Sequence, residues 1–368
     1  MLKLKLFIAY FFISVCTGYS QFDSYISIDF QKSNLLIIGE YHNIAENSDI
    51  QLNIIKDIAV KSDKNIEILI EFSPSFEYYL EKLFNNNDSI SLLNYMLNKR
   101  KEKHDTLGMA LTNQYELLMN LYYYSKTLSE KSFKIKCIDK EYLPRALLFT
   151  LKDIFGKYEI KDSALINQIC ALDSIQLKEV IDYTDFKLFD ATFRAYYFRN
   201  IELFKSTLNP NDFYYVSRML EYSSEIDRYS PEREKLMARN VIRNYFDSLF
   251  YILITGINHS NKNYYKKLDI RNNNISTGYL LNNENKSPFR NKVISVAITR
   301  RYFNTGTRIF NYEYAYPCIL NSEVDYLNSL VKGNIISCIN LKSTRLKYAK
   351  RFFDYFIIIE NSNSIYDF

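Results

Sequence analysis

Leu35-Leu36-Ile37-Ile38-Gly39-Glu40-Tyr41-His42 and Tyr251-Ile252-Leu253-Ile254-Thr255-Gly256-Ile257-Asn258-His259 follow one pattern: an apolar run, a glycine, two residues, then histidine. Apolar runs this short, without polar alternation, read as strands buried on both faces. Strands of that kind build parallel sheets covered by helices, and ligands there bind past the carboxyl ends of the strands. Glycine at such an end lets the chain turn sharply and lets a ligand approach the backbone. Histidine titrates near neutrality and suits a base, an acid or a metal ligand. Of the three histidines in the chain, two stand in this setting. Structural histidines that cap strands are the plain alternative. The third, His104, sits in the charged stretch 99–105 and reads as exposed, with no chemical role.

Outward from these two runs, further apolar segments at 66–70, 133–138, 293–298, 335–339 and 356–359 read as strands. Patterned segments at 48–61, 110–129, 141–155, 174–183, 188–207 and 230–247 read as helices. The first opens on a Ser48-x-x-Gln51 capping box. The last opens on Ser230 as cap, with Pro231 in its first turn. Asn-rich stretches at 85–87, 209–211 and 272–288 mark loops. Strands alternate with helices early and late, whereas 75–130 and 141–230 are nearly all helix. The expected class is α/β: a mixed, largely parallel central sheet flanked by helices, with a large helical insertion at about 75–230, in a single domain 21–368.

The 368 residues are 47% apolar and 24% charged, enough for a sizeable core and against wholesale disorder. Tyr (33) and Phe (26) are abundant and Trp is absent. Core filling accounts for them; a stacking surface for a flat ligand or sugar is the functional alternative. Residues 1–20 read as a secretory signal: Lys3 and Lys5, an apolar run from Leu6 to Cys16, then Gly18-Tyr19-Ser20 before cleavage at Gln21. That run is too short to span a bilayer, and no later run is longer. Val15 is too large to precede a lipoprotein cysteine at Cys16. The expected product is exported, periplasmic or secreted. Cleavage removes two lysines and no acid, so the formal charge falls from +5 to +3, too little to argue for nucleic acid. Cys137, Cys170, Cys318 and Cys338 remain, and Cys318–Cys338 is the pair to test for a disulfide. No C-x-x-C spacing occurs.

Two more strands end on acids. Ile68-Leu69-Ile70 runs into Glu71, and Ile135-Lys136-Cys137-Ile138 into Asp139. An acid in that place is costly to bury unless it is paired or used. Neighbouring strand ends would set Glu71 beside His42; a helix cap or surface acid is the alternative. Arg233 and Asn240, seven residues apart, share a face of the helix that precedes the second histidine strand. Arg233 suits an oxyanion, a substrate carboxylate or Glu71 itself, or else an ordinary surface salt bridge.

In this order the residues resemble the erythromycin-esterase-like family. The resemblance rests on Gly39-Glu40-Tyr41-His42, on Glu71 and on Asn258-His259. The helix 233–240, Arg-Glu-Lys-Leu-Met-Ala-Arg-Asn, is similar to the family's Arg-Asp/Glu-x-x-Met-Ala-x-Asn helix. The tail Phe353-Asp354-Tyr355-Phe356-Ile357-Ile358-Ile359-Glu360 is similar to its closing strand. The paired G-x-x-H motifs with an acid also resemble a wider group that includes ChaN-like haem-binding and Tiki/TraB-type proteins. Gly256 stands where erythromycin esterases carry the first of two histidines, and Gln51 where they carry an arginine. Both positions look more like the ChaN and Tiki side. The resemblance implies an α/β fold with the site at the strand ends and an ester or lactone as substrate. The candidate catalytic residues are His42, Glu71, His259, Glu40 and Arg233, with Gly39, Gly256, Gln51, Asn240 and Asp139 as substrate-binding positions.

Three chemistries suit these residues. In a hydrolase, His42 would be general base on a water, Glu71 or Glu40 would orient its ring, and His259 with Arg233 would stabilise the oxyanion or protonate the leaving group. The absence of G-x-S-x-G favours direct attack by water. In a metal-dependent hydrolase, His42, His259 and Glu71 or Glu40 would hold a divalent ion. In a non-enzymatic protein, histidine would ligate haem or a metal between tyrosine walls. A degenerate relative with a binding or structural role is a fourth reading. The partner expected is a small molecule or ester, with no nucleic acid and no membrane span.

Overall fold

The computed structural model describes residues 26–42, 44, 46–99, 110–128, 133–141, 144–176, 183–221, 230–264, 275–304, 309–310, 321–331 and 336–363. The expected export signal, His104 and Cys318 lie outside the described residues. In chain order, β1 (Leu35–Glu40), α1 (Asn47–Lys61) and β2 (Asn65–Ile70) lead to α2 (Pro74–Asn86), α3 (Ser89–Lys99), α4 (Ala110–Thr127) and β3 (Phe133–Cys137). Next come α5 (Pro144–Phe155), α6 (Ser163–Gln176), α7 (Tyr183–Arg199), α8 (Ile201–Thr207), α9 (Pro210–Leu220) and α10 (Pro231–Arg243). β4 (Leu249–Gly256), a 3-10 turn (Ile257–His259), α11 (Thr277–Asn283), β5 (Val293–Asn304) and β6 (Ile309–Phe310) follow. α12 (Asn321–Val331), β7 (Ile336–Asn340) and β8 (Tyr355–Asn363) close the order.

The strands form one sheet in the order β3-β2-β4-β1-β5-β8-β7, with β6 paired to β5. β1 lies between β4 and β5 and is parallel to both. β2 is parallel to β3 and β4, and β8 to β5. β6 on β5 and β7 on β8 are antiparallel. The sheet is therefore mixed and largely parallel. Every residue of β1 is buried. Leu36 and Ile38 face one layer together with Ile252 and Ile254, while Leu35 and Ile37 face the other with Met237 and Val241 of α10. Each such side chain contributes about 1.5–3 kcal/mol relative to staying in water, which fixes β1 and β4 as the rigid centre.

This topology positions the site. From β1 the chain passes through α1 to β2 on one side, and from β4 it crosses β1 to β5 on the other. The crevice at such a reversal lies past the carboxyl ends of the central strands. Gly39 pairs with Thr255 and Glu40 with Gly256, so the two histidine turns leave the sheet side by side.

Several expected boundaries move. The helix begins at Asn47 with Glu46 as cap and no side-chain capping bond, so Ser48 and Gln51 are buried inside α1 and form no capping box. Gln51 is turned onto Glu40 instead. Of the helix expected at 174–183, residues 174–176 close α6 and 183 opens α7, while 177–182 lie outside the described residues. The one expected at 188–207 is split at Asn200, where the backbone leaves helical values. The Ser230 hydroxyl does accept from the Arg233 amide at the start of α10. β6 was not expected, and β5 runs on to Asn304.

Candidate active site

Glu40 ends β1 facing the crevice, and its carboxylate is held from two sides. Oε2 accepts from Nε2 of Gln51 at 2.5 Å, and Oε1 lies 3.0 Å from Nδ1 of His42. Glu40 is buried, whereas the His42 side chain is 42% exposed. Burial works against a charge on His42, but the hydrogen bond and charge of Glu40 outweigh it and raise the pKa of the ring. The Nδ1–carboxylate contact fixes the ring orientation and sets Nε2 over Gly256 at the end of β4. A methyl group built on Gly256 would lie 2.9 Å from that Nε2 and 3.5 Å from Oε2 of Glu71. A side chain at Gly256 would push the His42 ring aside; the glycine lets the ring settle onto the end of β4. At Gly39 a methyl group would lie 2.0 Å from Oγ of Ser260, so this glycine makes room for the turn that carries His259 and not for a ligand.

Glu71 follows β2, and its amide donates to the carbonyl of Ile254, extending the sheet by one rung. Oε1 accepts from Nη2 of Arg233 at 2.6 Å and lies 3.3 Å from Nε2 of His259. Oε2 accepts from Oγ1 of Thr255 at 2.6 Å and from the amide of Gly256 at 2.7 Å. Burial would raise its pKa, yet His259 and Arg233 hold the carboxyl well below the usual carboxylate range. Glu71 is thus held as an anion near neutral pH with its lone pairs engaged, poorly suited to take a proton there.

Arg233 is buried. Its Nε and Nη2 bond Asp139 at 3.0 and 2.5 Å while Nη2 also bonds Glu71. The guanidinium bridges two carboxylates and is not turned toward open space. Of the partners expected for Arg233, an oxyanion, a carboxylate or Glu71, the structure shows Glu71. Asp139 is buried beneath Arg233. Asn240 donates to the carbonyl of Ile138 at 2.8 Å and accepts from Nη1 of Arg218 at 3.2 Å, tying α10 to the end of β3 and to α9. Asp139, Asn240, Gln51 and Gly39 were expected to meet substrate; each is buried and engaged with protein, so each supports the site from behind.

His259 ends the 3-10 turn after β4. Its Nδ1 bonds Oε1 of Glu234, and its Nε2 faces Glu71. Oε2 of Glu234 accepts from the amide and Oγ1 of Thr277 at 2.7 and 2.8 Å. Burial works against a charge on this ring, but Glu234 and Glu71 raise its pKa to about 10. Glu234, Thr255 and Thr277 are site residues that the sequence reading did not select. The available signal for Glu234 was its place beside Arg233 in the family-like helix. Nothing in the sequence pointed to Thr277.

His42, His259 and Glu71 do converge, but as an array of ion pairs. Both nitrogens of His259 face carboxylates, and a guanidinium sits on Glu71. Among the described residues no group of three or more His, Cys, Asp or Glu is arranged to hold a metal ion. In this arrangement both nitrogens of His259 and both oxygens of Glu71 are engaged with protein partners. Among the described residues no helix is long and apolar enough to cross a membrane.

Fold and site together define an α/β protein with a paired His–Glu constellation at the reversal point of a largely parallel sheet. No family model and no curated protein matches the chain. Among solved structures the fold is similar to that of a histidine-to-asparagine mutant of the erythromycin esterase EreC in its open conformation. The two share 15% sequence identity over 92% of this chain and 93% of that chain, with a TM-score of 0.59. It is also similar to a protein from Bacillus cereus, 13% identical over 90% of each chain with a TM-score of 0.55. A succinoglycan biosynthesis protein is 9% identical over 90% of this chain and 89% of that chain, with a TM-score of 0.53. At these identities the likeness is one of fold.

Proposed function

We propose that the protein is an exported hydrolase of esters or lactones in which His42 activates water. The observation that carries this reading is the Glu40–His42 pair, a half-exposed imidazole anchored through Nδ1 at the carboxyl end of β1, with no carboxylate bonded to Nε2. Nε2 takes a proton from water as the water oxygen attacks the carbonyl carbon. The resulting oxyanion collapses, the ester C–O bond breaks, and the leaving alkoxide takes the proton back from His42, giving an acid and an alcohol. His259 lies beside this pair with both ring nitrogens on carboxylates, so its charge would act on the carbonyl oxygen through space and not through a free N–H. Glu71 and Arg233 hold that cation in place. The fold likeness to an erythromycin esterase and the motif resemblance support the ester class. The test is His42→Ala on a panel of soluble esters and lactones. Turnover should fall by about 100-fold or more, the usual worth of a general base, with thermal unfolding unchanged. Undiminished turnover would discard the assignment.

A further inference from the structure

His42 and His259 each place Nδ1 on a glutamate, but only His259 has a second carboxylate on Nε2. A neutral imidazole has one N–H donor and one lone pair. In the His259 position that lone pair would point at a carboxylate oxygen whichever nitrogen carried it. Two donors are needed, and only the imidazolium has them.

The geometry points to Glu234 as the positioning residue that, clamped by Thr277, keeps a proton on both nitrogens of His259 and so makes this ring a fixed cation that never serves as a base. Glu234 is buried, and its carboxylate cannot swing away: Thr277 holds Oε2 through its amide and its hydroxyl. The clamp joins α10, the turn after β4 and the start of α11. The charged groups around the ring are Glu234 and Glu71, which favour the imidazolium, and Arg233 and His42, which oppose it. The two carboxylates are in contact with the ring, and Arg233 is itself neutralised by Asp139. The pKa of about 10 agrees with this balance. Proton traffic is thereby confined to His42, and the charge of His259 stays balanced against Glu234 and Glu71. The catalytic meaning of that charge rests on the hydrolase reading; the protonation state does not.

The test follows the ring nitrogens of His259 by nitrogen NMR in the full chain, between about pH 6 and pH 10, a range that brackets an ordinary histidine. The wild type should show both nitrogens protonated up to about pH 9. In Glu234→Gln, the amide oxygen keeps the Thr277 contacts and the amide N–H faces Nδ1, which must then accept. His259 should become neutral, with its proton on Nε2, at about pH 8. Thr277→Ala keeps the backbone donor and should lower the midpoint only slightly. A wild-type midpoint near the ordinary histidine value overturns the proposal, as does an imidazolium that persists at about pH 8 in Glu234→Gln. If Glu234→Gln does not fold, Glu234→Asp retains the charge at a greater distance and should lower the midpoint; an unchanged midpoint there also overturns it. An inactive protein with a charged His259 refutes the hydrolase reading alone, and an active one with a neutral His259 refutes this proposal alone.

Discussion

His42 and His259 follow equivalent glycines on adjacent parallel strands, and each puts Nδ1 on a glutamate, yet their side chains are 42% and 15% exposed. The difference comes from where the glutamate originates. Glu40 stands two residues before His42 at the end of its own strand, so that pair is local and opens to the crevice. Glu234 comes from α10, and the chain must pack a helix and a second carboxylate around His259 to complete its surroundings. The same short motif thus yields a half-exposed ring with one carboxylate and an enclosed ring with two, whose pKa is raised to about 10. In a strand-glycine-histidine motif, the carboxylates that reach the ring decide its role, and the motif itself only decides its location.

The strongest way to break this comparison is to remove the brace shared by the buried half. Arg233→Met leaves Glu71 and Asp139 as buried charges without their common partner. It should cost about 3–5 kcal/mol in urea unfolding, the usual loss when one member of a buried ion pair is removed. A cost near zero would mean that the array is solvated. Next, His259→Ala strands Glu234 and Glu71 and should cost about 2–4 kcal/mol, whereas His42→Ala should cost less than about 1 kcal/mol because its pair is half-exposed. Equal costs would erase the distinction between the two rings.

Much of this was legible from residue order alone. The apolar runs mark the strands because parallel sheets bury both faces, and an acid or histidine straight after such a run has to lie at the crevice. Glu71 is expected beside His42 for that reason, and Glu71 is one of the partners expected for Arg233. What escaped was the direction each polar side chain takes. Ser48 and Gln51 are the residue types of a capping box, and the same amide serves equally well as a buried donor to Glu40. Asn240 looked open to a ligand, but helix periodicity does not say which of two buried neighbours an amide will choose. Thr277 is remote from Glu234 in sequence and lies within the Asn-rich stretch 272–288, so no local rule couples them.

Two smaller effects sharpen the comparison. Gly256→Ala places a methyl group 2.9 Å from Nε2 of His42, so the ring must move. It should cost about 1–3 kcal/mol, as overpacking does, and lower ester turnover more than it lowers stability. Wild-type turnover in that variant would separate the ring position from activity. The pH dependence is subtler. The pKa of His259 is raised to about 10, so its contribution to stability is complete below the ordinary histidine value and is lost as pH rises through about 10. Glu71 has the opposite sign: its pKa is depressed, and its contribution is lost on acidification. Thermal unfolding followed from neutral to alkaline pH should therefore decline less steeply in His259→Ala than in the wild type. An identical slope would contradict a charged ring in the folded state.

The most direct test of the account is the pH profile of kcat/KM for any ester the protein hydrolyses, measured in the wild type and in Glu40→Gln. His42 acts as base only when neutral, and Glu40 is what raises its pKa, so activity should rise with pH through one ionisation above the ordinary histidine value. That ionisation should move to lower pH in Glu40→Gln. A profile that does not shift when Glu40 is neutralised would contradict His42 as the group that takes the proton from water.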